Sequence, residues 1–317
     1  MRAITHLKLA LALAGLLALA NCDEALTPST VLQPAPAPEP ATNAYVPASA
    51  ASEELARYYL RVENDLLTRG MLRTDGGGPD TPYDADDLAR NFEQIAFVNE
   101  HSGRTGVSAG GQSEVKLTRW KKPIRIATEF GPTVPPETRA EDREKIEAYA
   151  SRLARVTGHS IRSAKSDGNF IVVIAGTDDT DYAQQRLKTL IPNIPADRLA
   201  LIGNLQRPYY CFVFTFAGSG DTNTITRAVA FIRSENSDLL RLSCIHEEIA
   251  QGLGLSNDSP TARPSIFNDD DEFALLTSHD EKLLSMLYDP RLTPGMSGEE
   301  ARPVVRILAR ELMGQSL

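Results

Sequence analysis

The chain has 317 residues, of which 42% are hydrophobic, and its formal net charge at pH 7 is -9. This length and composition are sufficient for a substantial core in one or two domains, and they exclude an intrinsically disordered protein. The acidic balance argues against nucleic acid or anionic lipid as a partner, because the protein would repel their phosphate groups.

The first 21 residues have the pattern of a bacterial signal peptide. Arg2 and Lys8 accompany an apolar run over residues 9–19, which is too short to cross the ~30 Å hydrocarbon core of a membrane. The sequence Leu-Ala-Asn-Cys at residues 19–22 resembles a lipobox, which implies a lipid on Cys22 as the first residue of the mature protein. Asp23 would then favour retention at the periplasmic face of the inner membrane. The alternative is ordinary signal cleavage nearby, which would leave Cys22 as an incidental thiol.

A tether and a pair of helices are predicted next. Residues 22–51 are rich in proline and alanine and have no apolar periodicity, as in an extended linker. Apolar residues at helical spacing predict one helix over residues 52–73 and a second around Phe92. Neither helix can bury both of its faces alone, so residues 52–115 are expected to pack on the main domain. The glycine-rich residues 103–111 match no phosphate-binding motif.

Strands and helices alternate over the rest of the chain. Strands are predicted over residues 123–130, 170–175, 209–216 and 225–232, and helices over residues 138–157 and 181–190. The run at residues 170–175 is apolar throughout, which is typical of a strand in the middle of a sheet. This order predicts an α+β domain over residues 116–317.

Residues 244–258 are the stretch around which this domain is organised, and they are predicted to form a buried helix, a glycine turn and a polar loop. On an ideal helix one apolar stripe is formed by Leu242, Ile245, Ile249 and Leu253. Glu247 and Gln251 lie together on the opposite side. A helix packed from behind can therefore present carboxylate and amide groups to a cleft.

The polar residues of this helix fall at the spacing of the long metzincin motif, His-Glu-x-x-His-x-x-Gly-x-x-His. The residues at its fixed positions are Glu247, Glu248, Gln251, Gly254 and Asn257. Glu248 matches the general base and Gly254 the turn glycine. The three ligand positions hold Glu247, Gln251 and Asn257, and none of these is a histidine.

The resemblance continues downstream. Residues 265–269 lie where metzincins make their methionine turn, with Phe267 in place of the methionine, and residues 276–288 resemble their closing helix. The sequences at residues 247–258, 265–269 and 287–296 together make residues 51–296 similar to an uncharacterised family of bacterial envelope lipoproteins. The resemblance implies a zincin-like fold, a twisted mixed sheet with a backing helix and an active-site-type helix. It implies almost nothing about an activity.

The polar groups around the helix allow three interpretations: a hydrolytic metal centre, a hydrogen-bonded cluster that fixes helix and loop, or a binding pocket. One carboxylate and two neutral amides are hard oxygen donors, which disfavour zinc and suit calcium or magnesium. We therefore predict no resident cofactor or metal, with calcium as the alternative. Glu248 is the candidate catalytic residue. The candidate binding residues are Glu247, Gln251, Asn257, Asp258, Ser265, Asn268 and Asp269.

Two cysteines remain after Cys22. An oxidising compartment favours a disulfide between Cys211 and Cys244, which would tie a strand to the organising helix. The alternative is a pair of small buried thiols. His246 lies near the apolar stripe, which predicts a partly buried, hydrogen-bonded imidazole, and His279 is expected at the surface or in a helix cap.

Two functional hypotheses follow. The first is a lipid-anchored, non-catalytic binding or assembly protein whose partner is an envelope protein or peptide. In a zincin the cleft over the organising helix lies beside an edge strand, and residues 209–216 are the predicted edge to which an extended segment could add. The second is a metal-dependent hydrolase or peptidase in which Glu248 is the general base.

Overall fold

A computed structural model describes residues 44–99, 113–218, 220–268 and 270–315, which belong to one compact unit, Thr42–Leu317. The predicted signal peptide, Cys22, Asp23, most of the tether, the glycine-rich loop and Asp269 lie outside the described residues. Within the described part, none of the helices combines the length and the apolar character needed to cross a bilayer.

Helices and strands follow one another in a mixed order, which fits the predicted α+β class. The helices are α1 (Ala50–Thr68), α2 (Ala85–Phe97), α3 (Pro136–Thr157), α4 (Thr180–Leu190), α5 (Ala196–Gly203), α6 (Asp238–Gln251), α7 (Ser278–Leu287) and α8 (Gly298–Leu312). The strands are β1 (Val98–Asn99), β2 (Ser113–Glu114), β3 (Arg119–Trp120), β4 (Ile124–Phe130), β5 (Ile161–Ala164), β6 (Phe170–Ala175), β7 (Cys211–Gly218) and β8 (Asp221–Arg233).

In the described residues, one sheet contains six strands in the order β3-β8-β6-β4-β5, with β7 paired to β8. All pairs are parallel except β7 with β8, which is antiparallel with Cys211 opposite Ile232. Every residue of β6 is buried, as expected for a central strand whose two faces are both covered. The predicted strand at residues 170–175 is thereby confirmed.

Helices cover both faces of this sheet. One core cluster joins α3, α6 and α7 to one face through residues such as Ile146, Ile249 and Leu283. A second cluster joins α4 to the other face, where Leu187 packs with Val173 and Phe231. Successive side chains of a strand point to opposite faces, so the apolar run of β6 supplies both clusters. Helix α6 therefore lies on the same face of the sheet as α3.

The first turn of α6 is capped by a side chain from α1. Glu63 Oε2 accepts hydrogen bonds from Ser237 Oγ at 2.7 Å, from Leu239 N at 3.0 Å and from Leu240 N at 3.1 Å. The bonds from Leu239 and Leu240 satisfy backbone N–H groups that have no partner inside the helix, and the carboxylate complements the positive end of the helix dipole. Helix α1 thus helps to fix where α6 begins.

Candidate functional site

The C-terminal end of α6 is held at a fixed position against the sheet and α7. Trp120 Nε1 donates to Gly252 O at 2.8 Å, and the Tyr288 hydroxyl donates to Leu253 O at 3.0 Å. Gly254 follows with a φ of +127°. Of the four residues in the predicted apolar stripe, Ile245, Ile249 and Leu253 are fully buried and Leu242 is partly buried. The predicted orientation of α6 is therefore confirmed.

Glu248 lies on α6 with only 4% of its surface exposed. Its Oε2 has no hydrogen-bond partner among the described residues. Burial, with smaller contributions from the nearby charges of Glu247 and Asp258, raises the pKa of the Glu248 carboxyl well above its usual range. The fold therefore favours the protonated acid, which can donate a proton but cannot accept one as a general base does.

This shift predicts how stability depends on pH. As pH rises, the unfolded chain loses the Glu248 proton at a lower pH than the folded protein does. Above the ordinary pKa of a glutamate, this residue therefore lowers the free energy of unfolding by up to about 1.4 kcal/mol for each pH unit. Glu248→Gln should remove that slope, leaving the variant about as stable as wild type near pH 4 and more stable near pH 8. Urea unfolding at a series of pH values would measure it.

Glu247→Gln is the matched control for this prediction. Glu247 is adjacent on the same helix but only half-buried, and its charge is a smaller cause of the shift than burial. Most of the slope should therefore remain in Glu247→Gln. If the free energy of unfolding depends on pH equally in wild type and in Glu248→Gln, the raised pKa of Glu248 is contradicted.

Gln251 and Asn257, two of the three residues at the metzincin ligand positions, form hydrogen bonds with other protein groups. Gln251 Nε2 donates to Asp258 Oδ1 at 3.1 Å. Asn257 is 1% exposed, and its Nδ2 donates to Gln94 O at 3.2 Å and to Asp258 O at 2.9 Å. The Asn257 amide thus ties the loop after α6 to the backbone of α2. These contacts fit the hydrogen-bonded cluster among the three interpretations.

Ser265 and Asn268 stabilise the turn that precedes α7. Ser265 Oγ donates to Asp280 Oδ1 at 2.5 Å and accepts from Phe267 N at 3.0 Å. Asn268 Nδ2 donates to Ala262 O at 2.9 Å. The hydrogen bonds of both side chains are therefore directed to the turn and to α7, and not to the carboxylates of α6.

The predicted disulfide between Cys211 and Cys244 is confirmed. Their Cα atoms are 5.9 Å apart, and the bond ties the first residue of β7 to the middle of α6. Cys244 is buried, whereas Cys211 is partly exposed. The sulfur of Cys211 and one carboxylate oxygen each of Glu247 and Glu248 all lie within 4.8 Å of one another. This grouping was not predicted, because it depends on the contact between β7 and α6.

Neither histidine near these elements is placed as a metal ligand. His246 Nδ1 accepts a hydrogen bond from Leu276 N at 3.1 Å, and its ring stacks on Tyr149 at a centroid distance of 4.0 Å. Burial lowers the pKa of His246 to about 3, so the ring is neutral. His279 was expected at the surface or in a cap, and the surface alternative is wrong: it is fully buried, with Nε2 3.2 Å from Asn91 Nδ2.

No curated protein and no solved structure matches the chain significantly. Residues 85–307 match the sequence profile of the family described as Protein of unknown function (DUF2927). The matched segment begins at α2, contains the whole sheet together with α6 and α7, and ends within α8. Because it spans more than half of the chain, this protein belongs to the DUF2927 family.

Proposed function

We propose that this protein is a non-catalytic, zincin-like binding module of the bacterial envelope, and that it binds an extended peptide along the free edge of β7. In this proposal a lipid on Cys22 holds the folded unit at the periplasmic face of the inner membrane. The observation that carries the proposal is the orientation of the backbone groups of β7.

The hydrogen bonds of β8 identify which groups of β7 face outward. Ala228 N, in β8, donates to Asn169 O at 3.0 Å, so the backbone of Ala228 faces β6. In an antiparallel pair the residue opposite it must then point its own N–H and C=O away from β8. That residue is Thr215, and Val213 has the same orientation two residues earlier. Among the described residues, β7 pairs with no strand other than β8.

An added strand could reach this edge. Thr215 and Ala217 are exposed, whereas Phe214, just before them, is buried on the other face of the sheet, and Phe216, between them, packs on that same face. When a peptide adds to a sheet edge, hydrogen bonds to its main chain supply affinity and its side chains supply specificity. Glu247 lies beside the first residue of β7, where its carboxylate complements a basic side chain on the added strand.

The position of α6 supports the zincin-like part of the proposal. The zincin resemblance implies an active-site-type helix beside an edge strand of a mixed sheet, with a second helix packed behind. Here the antiparallel edge strand β7 is joined to α6 by the disulfide, and α3 packs with α6 on the same face of the sheet. The Asn257 and Gln251 amides are engaged by other protein groups, which favours binding over hydrolysis.

Thr215→Pro tests the proposal directly. It removes one outward N–H while leaving the hydrogen bonds between β7 and β8 in place, because a proline is tolerated where the N–H faces away from the sheet. Binding of a library of extended peptides, with and without lysine or arginine, would be measured by fluorescence anisotropy. We expect basic peptides to bind and the variant to lose about tenfold or more in affinity, equivalent to about 1.4 kcal/mol.

Thr215→Val is the matched control, since it retains the N–H and the preference for a strand. If the proline and valine variants bind the peptides with equal affinity, the peptides do not bind along the edge of β7. Mass spectrometry of the same samples provides the second readout. If wild type cleaves any peptide and Glu248→Gln does not, the protein is a hydrolase and the binding-module proposal is wrong.

A further inference from the structure

The cluster formed by Cys211, Glu247 and Glu248 brings together three atoms that can bind a metal ion. Its three donor atoms lie within 4.8 Å of one another. Sulfur and oxygen ligands bind zinc at about 2.0–2.3 Å, which places neighbouring ligands about 3–4 Å apart in a tetrahedral site. Small side-chain movements would therefore bring the three atoms to bonding distance of one ion.

A second observation points to a missing ligand at this place. Oε2 of the buried Glu248 has no hydrogen-bond partner among the described residues. A buried polar atom without a partner lowers stability, and two adjacent carboxylates repel each other when both are charged. A divalent cation between Glu247 and Glu248 would relieve both effects.

In the oxidised protein the sulfur of Cys211 is bonded to Cys244 and is not available as a thiolate ligand. We propose that reduction of this disulfide opens a zinc site formed by the Cys211 thiolate and the carboxylates of Glu247 and Glu248. The site is thus controlled by the redox state of the protein. This inference does not depend on peptide binding at β7.

A dithiol reductant completes the reaction in two exchange steps. Its first thiolate attacks Sγ of Cys211, the more exposed of the two cysteines, which breaks the protein disulfide and releases the Cys244 thiolate. Its second thiolate then attacks the reductant sulfur that is bonded to Cys211. The reductant leaves as a disulfide, and its two electrons and two protons remain on the two protein thiols. When zinc binds, the proton of Cys211 and any proton on the two carboxyl groups pass to solvent.

The donor set determines which ion binds. Thiolate is a soft ligand that favours zinc, whereas calcium and magnesium require oxygen ligands alone. Three protein ligands leave the fourth position of a tetrahedral zinc ion for water or for another ligand. We therefore expect zinc binding to persist in the presence of excess calcium and magnesium.

Two single-cysteine variants test this proposal without any reductant. Cys244→Ser and Cys211→Ser both remove the disulfide, but only the first keeps the Cys211 thiol. Zinc titrations by calorimetry should give one equivalent bound to Cys244→Ser, at least ten times more tightly than to Cys211→Ser. Cobalt substitution should give a thiolate charge-transfer band in Cys244→Ser only. Adding Glu248→Gln to Cys244→Ser should weaken zinc binding at least tenfold.

The wild type provides an independent comparison that does not require a variant to fold. Wild type is reduced with a dithiol, which is then removed under nitrogen. The reduced protein should bind zinc as tightly as Cys244→Ser, and the oxidised protein should bind zinc as weakly as Cys211→Ser. Equal zinc affinity in the oxidised and reduced wild type would overturn the proposal. So would equal affinity in the two cysteine variants.

Discussion

Replacement of Arg241 by alanine is expected to lower the free energy of unfolding by about 3–5 kcal/mol, the largest effect of any substitution that we consider. Arg241 and Asp142 form a buried ion pair between α6 and α3, with 2.9 Å between Nε and Oδ2 and side-chain exposures of 5% and 1%. Burial already raises the pKa of Asp142, and the charge of Arg241 opposes that rise. The alanine variant would leave a buried carboxyl without its cation.

The double variant Arg241→Met with Asp142→Leu is the matched control. Replacing both partners of a buried pair with apolar residues of similar volume removes the desolvation cost together with the attraction. It should therefore unfold at a higher urea concentration than Arg241→Ala. If the double variant is as unstable as Arg241→Ala or less stable, the cost does not come from an unpaired charge.

Gly254→Ala is expected to lower the free energy of unfolding by roughly 2–5 kcal/mol, from backbone strain and overpacking together. The φ of +127° at this position is rarely adopted by a residue with a side chain, and an added Cβ would lie 2.1 Å from Thr118 O. The clash is with backbone, so it cannot be relieved by rotating a side chain. Thermal and urea unfolding would measure the effect.

Gly158→Ala separates the two causes. Gly158 caps the C-terminal end of α3 with a φ of +66°, but an added Cβ there has no neighbour within 4 Å. Its substitution should cost about 1 kcal/mol, from the backbone conformation alone. A similar loss of stability in both variants would show that the approach of Thr118 to Gly254 has no energetic effect.

Local patterns in the sequence account for the features that were predicted correctly. A strand made of six consecutive apolar residues is stable only where both of its faces are covered, and all six residues of β6 are buried. The apolar stripe of α6 fixed which side of that helix faces the core, because helical spacing alone determines which residues share a face. The disulfide between Cys211 and Cys244 was predicted from the expectation of an oxidising compartment and from the even pair of cysteines that remains after Cys22.

Features that depend on long-range contacts could not be predicted in this way. Glu63 caps α6 from a helix far away in the sequence, and Cys211 meets Glu247 only because β7 packs beside α6. His279 was expected at the surface or in a helix cap because it lies at the start of a helix, and the surface alternative was wrong because α2 covers the ring through Asn91. Helix α8 was not predicted, and Pro303 lies inside it, where a proline usually ends a helix.

The cap that Glu63 provides also has a consequence for how the family is delimited. The family match begins at residue 85, after α1 has ended. An expression fragment starting there would lose the acceptor for the first N–H groups of α6, and also Ser52, whose hydroxyl donates to the buried Glu235 at 3.0 Å. We therefore expect a fragment that includes α1 to have a higher free energy of unfolding than one that begins at residue 85.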